Sequence, residues 1–315
     1  MARLLMRRLI FAVLTLLATS VIVFVATEIL PGDVVTALLG QNATPELVKN
    51  MRLELGLDQP PIQRYFEWLG GFLTGDLGKS LASHAAVSSV VLPRLWNTVM
   101  LAAYAAVIAI PLSIALGVLS AAYAERVFDR TLSTVSVFLV SIPEFAIALA
   151  LVVFLAVQAH WFPAVIYKPD WNHPGRVIWQ LFLPMLTLLC TMMAHMIRMT
   201  RAAVLDVMAS GYVEFALLKG VPKARILLRH ALPNAMGPVL SVVALNLGYL
   251  ISGVAVIEVV FSYPGLGRLM VDSISYRDMP LIQATAMIFC ALYIFFNFIA
   301  DIGSVVLNPR IMHAS

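Results

Sequence analysis

Charge is scarce in this sequence. Only 12% of its 315 residues are Asp, Glu, Lys or Arg, while 61% are hydrophobic. That is about half the charged share of a soluble domain. The length would permit an ordinary globular core, but the long apolar runs exclude one and point to an all-α polytopic membrane protein. The net charge of +4 is no signal of nucleic-acid binding; in a membrane protein it reflects basic residues kept on the cytoplasmic side. Cysteine is nearly absent. Cys190 and Cys290 lie inside apolar runs, without metal-ligand spacing or a pairing pattern, and read as small hydrophobes. No nucleophile–base pair or metal-ligand set is present, so a catalytic enzyme is the least favoured class. A nucleotide-binding loop is missing too. Gly78-Lys79-Ser80 looks like the end of one, but that loop requires a glycine five residues before Gly78, where Leu73 stands. The chain is expected to carry no ATPase site and to bind no metal or cofactor of its own.

What is present is a series of apolar runs. After a basic tip, residues 1–8 with Arg3, Arg7 and Arg8, the run 9–30 is long enough to span. It exceeds a typical signal-peptide core and ends in no Ala-x-Ala-like cleavage site, so it reads as a retained first helix. Residues 31–96 turn polar and form a long loop. Within it, Thr44-Pro45-Glu46 reads as a helix start, with Thr44 as N-cap and Pro45 at the first helical position. Tyr65, Phe66, Trp68, Leu69, Phe72 and Leu73 recur at helical spacing. They predict an amphipathic helix on the membrane surface or packed on the bundle. Five further spans follow within residues 97–306: Asn97–Leu119, Leu132–Val157, Val177–Ile197, Ala235–Val259 and Leu281–Val306. Pro111, Pro143, Pro184 and Pro238 lie in or at the ends of these spans, where kinks and not breaks are expected. Residues 307–315 form a tail.

Orientation follows from the basic residues. With the N-terminus in the cytoplasm, twelve Lys and Arg fall on the cytoplasmic side and nine on the other. Five of the nine sit in the single long loop, which counts for little. Both termini and the stretch Gly211 to Pro233 are therefore expected to be cytoplasmic. That stretch, GYVEFALLKGVPKARILLRHALP, is the longest polar interruption in the second half of the chain. Tyr212 to Lys219 predicts a short helix with Glu214 in its first turn, ended by Gly220 and Pro222. Lys223 to Ala231 adds a second turn or two before Pro233 and the next span. On charge alone the stretch reads as a connector that anchors topology.

Spacing adds a second reading. Glu214, Ala216, Gly220, Leu232 and Pro233 fall in register with the cytoplasmic Glu-Ala-Ala loop of ABC importer permeases, which the stretch resembles. Phe215 replaces the alanine at the second position of Glu-Ala-Ala, and His230 the isoleucine. The resemblance covers almost the whole chain and narrows to the dipeptide/oligopeptide/nickel branch. Its pieces include Leu30-Pro31-Gly32-Asp33, Leu55-Gly56-Leu57-Asp58-Gln59-Pro60 and Gly75-Asp76-Leu77-Gly78-Lys79-Ser80. Further along come Ser141-Ile142-Pro143, Leu183-Pro184, Arg198 with Arg201, and Arg229-His230-Ala231-Leu232-Pro233-Asn234-Ala235. The last are Glu258-Val259-Val260-Phe261, Pro264-Gly265-Leu266-Gly267, Arg277-Asp278 and Asn308-Pro309-Arg310. His230 is usual in that branch; Leu217 stands where it usually has arginine.

The resemblance implies a type I importer permease fold with six transmembrane helices in the bacterial inner membrane. It implies a second permease, usually non-identical, two ATPase subunits that carry ATP and Mg, and an external substrate-binding protein. The substrate would be a di- or oligopeptide, or nickel or another small solute of the same branch. Glu214, Ala216, Lys219, Gly220, His230, Leu232 and Pro233 would couple the chain to the ATPases. A self-sufficient carrier or channel is the alternative from another class; internal repeats and a mid-membrane charge cluster, which it would predict, are not evident.

Polar residues inside apolar spans are costly, about 2.5–3.5 kcal/mol for a central charge, and so face protein or water. Glu144, His195, Asn246 and Glu258 are candidates for a pathway lining; Asn297 and Asp301 are further polar residues in the last span. For Glu258 and Asp301, close to span ends, interhelical bonding or snorkelling is the simpler reading, and for His195 a structural role stands beside the pathway one. Pro264, Gly265 and Gly267 sit in a tight turn that reads as a plain loop, an outer gate or a docking point for the binding protein.

Overall fold

The computed structural model describes residues 2–29, 35–36, 44–54, 56 and 58–307. Leu30-Pro31-Gly32-Asp33, Leu55, Leu57, Asn308-Pro309-Arg310 and most of the 307–315 tail lie outside the described residues. The helices are α1 (Ala2–Ile29), α2 (Pro45–Glu54), α3 (Pro61–Thr74), α4 (Val87–Ala122), α5 (Val127–Ser141) and α6 (Glu144–Leu151), which continues as a π-helical stretch, Val152–Gln158. They are followed by α7 (Pro174–Gln180), α8 (Phe182–Met208), α9 (Gly211–Leu218), α10 (Lys223–Ile226), a π-helical turn at Leu227–Ala231, α11 (Leu232–Val260), α12 (Leu266–Tyr276) and α13 (Met279–Leu307). Among the described residues there is no strand, only an isolated bridge between Lys79 and Ala86. In hydrocarbon a helix alone satisfies its own backbone, which is why the apolar runs fold this way.

Five helices are long and apolar enough to cross a membrane: Met6–Ile29, Val87–Ala122, Phe182–Met208, Lys223–Val260 and Met279–Ile299. The pair Val127–Ser141 and Glu144–Gln158 passes the same test together but is bent by 101°. A break, not a kink, therefore stands at Pro143. Proline pushes the residue before it out of the helical region. Ile142 accordingly sits at φ −94°, ψ 128°, and Pro143 itself at φ −58°, ψ 142°. Pro111 and Pro238 lie inside unbroken helices, and Pro184 in the first turn of α8.

Helix bounds depart from the sequence expectation in three more places. The second span begins at Val87, ten residues before Asn97, because Val87 and Val91 are buried even though Arg94 and Pro93 interrupt the apolar run. The helix α8 runs on past Ile197 to Met208 and carries Arg198 and Arg201. The second turn of the central stretch is no separate helix: α10, the π-turn and α11 form one helix of 38 residues.

The chain divides into two compact units. One comprises Met6–Val99 and Pro264–Leu292. Here α3 lays Tyr65 and Trp68 against Phe24 of α1, with ring centroids 5.4 and 6.0 Å apart. The Tyr65 hydroxyl meets Ser20, and Arg64 pairs with Glu28. The predicted amphipathic helix thus packs on α1, leaving Ile62, Phe66 and Leu73 exposed. The Gly78-Lys79-Ser80 piece has a structural task. Buried Ser80 donates from Oγ to Asp278 Oδ2, and the Ala82 amide donates to the same oxygen. Asp278 also accepts from the Leu281 amide at the start of α13. Asn97 Nδ2 donates to the Pro264 carbonyl at 2.9 Å, and the Leu266 amide to Thr98 Oγ1 at 2.8 Å. Pro264–Gly267 is therefore the fastened start of the 11-residue α12, with Gly265 as N-cap, and not a plain turn.

The other unit comprises Met100–Tyr263 with the described residues 2–5 and 293–307. Its centre is α8 against α11: half of α8's most apolar window and 56% of the Lys223–Val260 window are buried, against 11% for α1. Helices attract one another in lipid by close packing. At Gly117 a Cβ would lie 2.7 Å from Thr200 Cβ, so glycine lets α4 approach α8. The bent pair starts beside one end of α8, where Asp129 meets Arg201. It ends beside the other, where Phe162, four residues beyond it, stacks on Phe182 at 4.4 Å. It thus runs the length of α8 and has the reach of a sixth crossing.

Candidate coupling stretch and membrane cavity

The short helix α9 is built by its ends. Ser210, in extended backbone, is the N-cap residue, and its carbonyl accepts from the Glu214 amide at 3.2 Å. Glu214 stands exposed in the first turn, where the helix dipole favours a carboxylate. At the other end Gly220 takes φ +77°, donating to Leu217, while the Val221 amide donates to Ala216. That pair of bonds is the Schellman arrangement, which needs a left-handed residue after the helix. Of α9, only Val213 is buried; Ala216 is half-buried, and Lys219 and Gly220 are exposed. Tyr212, Phe215, Leu217 and Leu218 project outward, Phe215 at 68% and Leu218 at 78% exposure. Apolar side chains are thus exposed around much of this short helix.

The second half of the stretch is shaped by Pro233, which has no amide hydrogen to give. The helix answers with the π-turn, in which the Leu232 amide donates back to Leu227. The His230 carbonyl then accepts from Asn234 Nδ2 at 2.6 Å and from the Tyr212 hydroxyl at 3.4 Å. Asn234 Nδ2 also donates to the Tyr212 hydroxyl at 3.2 Å. Tyr212 and Asn234, which sequence reasoning did not single out for a role, thus tie α9 to the root of α11. His230 and Pro233 are exposed, and Leu232 packs on a cluster of Val118, Ala121, Val204, Leu227, Ala231 and Ala235.

Beside this root lies an ion pair that the sequence reading missed. Asp129 receives Arg201 through both oxygens, Nε to Oδ1 at 2.6 Å and Nη2 to Oδ2 at 2.7 Å. Ser120 Oγ and the Glu125 amide complete its shell. Its side chain is only 3% exposed.

In the same unit a cavity of about 640 Å³ is lined by α5, α6, α8 and α11. It brings together three of the residues proposed from sequence: Glu144 from α6, His195 from α8 and Asn246 from α11. Asn246 Nδ2 donates to its own helix at Val242, 2.8 Å away. Glu258, Pro264, Gly265 and Gly267 are not among the lining residues. Glu258 is fully buried at the end of α11, where its carbonyl accepts from the Tyr263 amide at 2.8 Å. Burial, and then the charge of Glu258, raises the Tyr263 hydroxyl well above its ordinary pKa. Asn297 Nδ2 donates to Tyr293, away from the cavity lining; the Asp301 side chain lies outside the described residues. No group of three metal-ligating side chains occurs among the described residues.

Comparison with known proteins agrees with this architecture. The chain is 35% identical over 308 residues to the glutathione transport system permease protein GsiC of Escherichia coli (strain K12), covering 98% of both chains. It is 35% identical over 313 residues to a protein of Brucella abortus (strain 2308) named for a peptide transport system permease, covering 99% of this chain and all of that one. Residues 1–102 match the N-terminal family of binding-protein-dependent transport system membrane components. Residues 113–313 match the family described as binding-protein-dependent transport system inner membrane component, and the chain belongs to that family: it is an all-α, multi-pass inner-membrane permease subunit.

Proposed function

We propose that this chain forms half of the translocation pathway of an ATP-driven importer for di- or oligopeptides or a related small solute. A second permease completes the pathway, two ATPase subunits bind the Gly211–Pro233 stretch, and an external binding protein delivers the solute. ATP and Mg act on the ATPases; this chain contributes no hydrolytic site. Both termini lie in the cytoplasm. The names of the glutathione and peptide permeases support the substrate class.

One observation carries the mechanism. The helix Lys223–Val260 begins within the coupling stretch and, through Asn246, Tyr249 and Gly253, lines the cavity. Tyr212 ties α9 to its root. Force applied by an ATPase on the exposed side chains of α9 is delivered to the helix that walls the cavity. Transport then follows as a rocking of α11 against α6 and α8, which opens the cavity to alternate sides.

The test is purification of the complex in mild detergent. Wild-type chain should retain ATP-hydrolysing subunits, and Glu214→Arg should release them while the chain still inserts. Absence of ATPase subunits from the wild type would overturn the importer reading. Retention by Glu214→Arg would overturn the docking role of α9's first turn.

A further inference from the structure

Among the described residues that line the cavity there is one carboxylate, that of Glu144. Glu144 stands in the first turn of α6, beside the break at Pro143, half-buried in the middle of a membrane-spanning pair. Among the described residues no hydrogen bond or ion pair reaches its carboxylate. Asp129 in the same unit has four donors. No Lys or Arg lines the cavity; its other polar groups belong to Thr191, His195, Asn246, Tyr249 and Ser252. The carboxylate lies close against Gly253 of α11. A Cβ at residue 253 would stand 2.7 Å from Oε2, 3.1 Å from Oε1 and 3.2 Å from Cδ of Glu144. Only glycine on α11 lets the carboxylate stay where it is.

We infer that Glu144 is the counter-ion for a cationic group, an ammonium or guanidinium, on the solute that passes through this chain. The inference rests on the permease reading above and names the chemistry of its substrate. A carboxylate held at membrane depth is costly unless it meets water or an opposite charge. A cation entering the cavity removes that cost, and the attraction is strengthened by the low dielectric around it. A bare divalent metal ion fits less well, because one carboxylate and one imidazole make a poor donor set for it. The apolar remainder of the lining, Leu139, Val140, Leu188, Met192, Leu250 and Val256, suits the body of an organic solute. The volume of about 640 Å³ falls within the range of about 300–1,000 Å³ for small-molecule sites.

The experiment uses the complete transporter with its binding protein in proteoliposomes. Uptake is measured for a lysine-containing dipeptide and its norleucine counterpart, and for a dipeptide and its desamino analogue. Wild type and variants are compared on the same pairs, so the binding protein's own preference cancels. For at least one pair, Glu144→Gln should reduce the preference for the member with the additional ammonium group by about tenfold, the equivalent of one charge-assisted hydrogen bond. Gly253→Ala keeps the charge but displaces the carboxylate. It should lower the same preference. If Glu144→Gln impairs assembly, Gly253→Ala decides alone. Unchanged preferences, or equal slowing of both members, would overturn the counter-ion role and leave the permease reading standing. Failure of the wild type to take up any of the four would overturn the peptide form of that reading and the subsite with it.

Discussion

Asp129 shows how much a single carboxylate can organise at a helix end. It gathers Ser120 from α4, the Glu125 amide from the connection and Arg201 from α8. Breaking such a pair strands the partner, at a cost of about 2–4 kcal/mol here, since Arg201 keeps 28% exposure and can turn to water. Arg201→Ala should cost at least as much as Asp129→Ala, because it leaves the nearly inaccessible carboxylate with neutral donors only. The double variant should cost clearly less than the sum of the two. Unfolding midpoints of the purified protein in detergent would check this, and strict additivity would refute the coupling. Asp129 was not legible as a site in the sequence, since it reads there as the polar edge of a span. Glu144, His195 and Asn246 were legible one by one, as polar residues in apolar runs. Their meeting in one cavity was not, because it depends on how α6, α8 and α11 pack.

At the scale of elements, α9 is held in shape by its two ends. Gly220 matters for its backbone: at φ +77° a Cβ would meet nothing within 4 Å, so the only penalty for a side chain is conformational. Gly220→Ala should cost about 1–2 kcal/mol in the cap and leave uptake measurable. Gly220→Pro cannot take a positive φ, and should sharply lower solute taken up per ATP hydrolysed without preventing insertion. Unchanged coupling in Gly220→Pro would remove the lever from the mechanism. Both ends of α9 could be read from the sequence to within a residue, because glycine, proline and a first-turn carboxylate act locally. The continuity from Lys223 to Val260 could not. Pro233 looked like a boundary, and the π-turn that absorbs it is accompanied by bonds from Asn234 and Tyr212 to the His230 carbonyl. Pro143 gave the opposite error: a break occurred where a kink was expected.

For the whole molecule, the decisive question is how often the chain crosses the bilayer. Hydropathy gives five helices and one bent pair, and a re-entrant pair would invert everything after Gln158. The Asp129–Arg201 pair at one end of α8 and the Phe162–Phe182 stack at the other argue for crossing. The basic residues argue the same way, since six spans place Arg198, Arg201, Lys219, Lys223, Arg225 and Arg229 together in the cytoplasm. Single cysteines at Glu125, Tyr167 and Lys219, in a chain with Cys190 and Cys290 replaced by alanine, test this with a membrane-impermeant thiol reagent. All three positions lie in connections between spans, and Tyr167 is 78% exposed. With six crossings, intact cells label position 167, while 125 and 219 react only after the membrane is opened. With a re-entrant pair, 125 and 167 share one side and 219 takes the other. That result would place the Gly211–Pro233 stretch away from any cytoplasmic ATPase, and the coupling mechanism would fall with it.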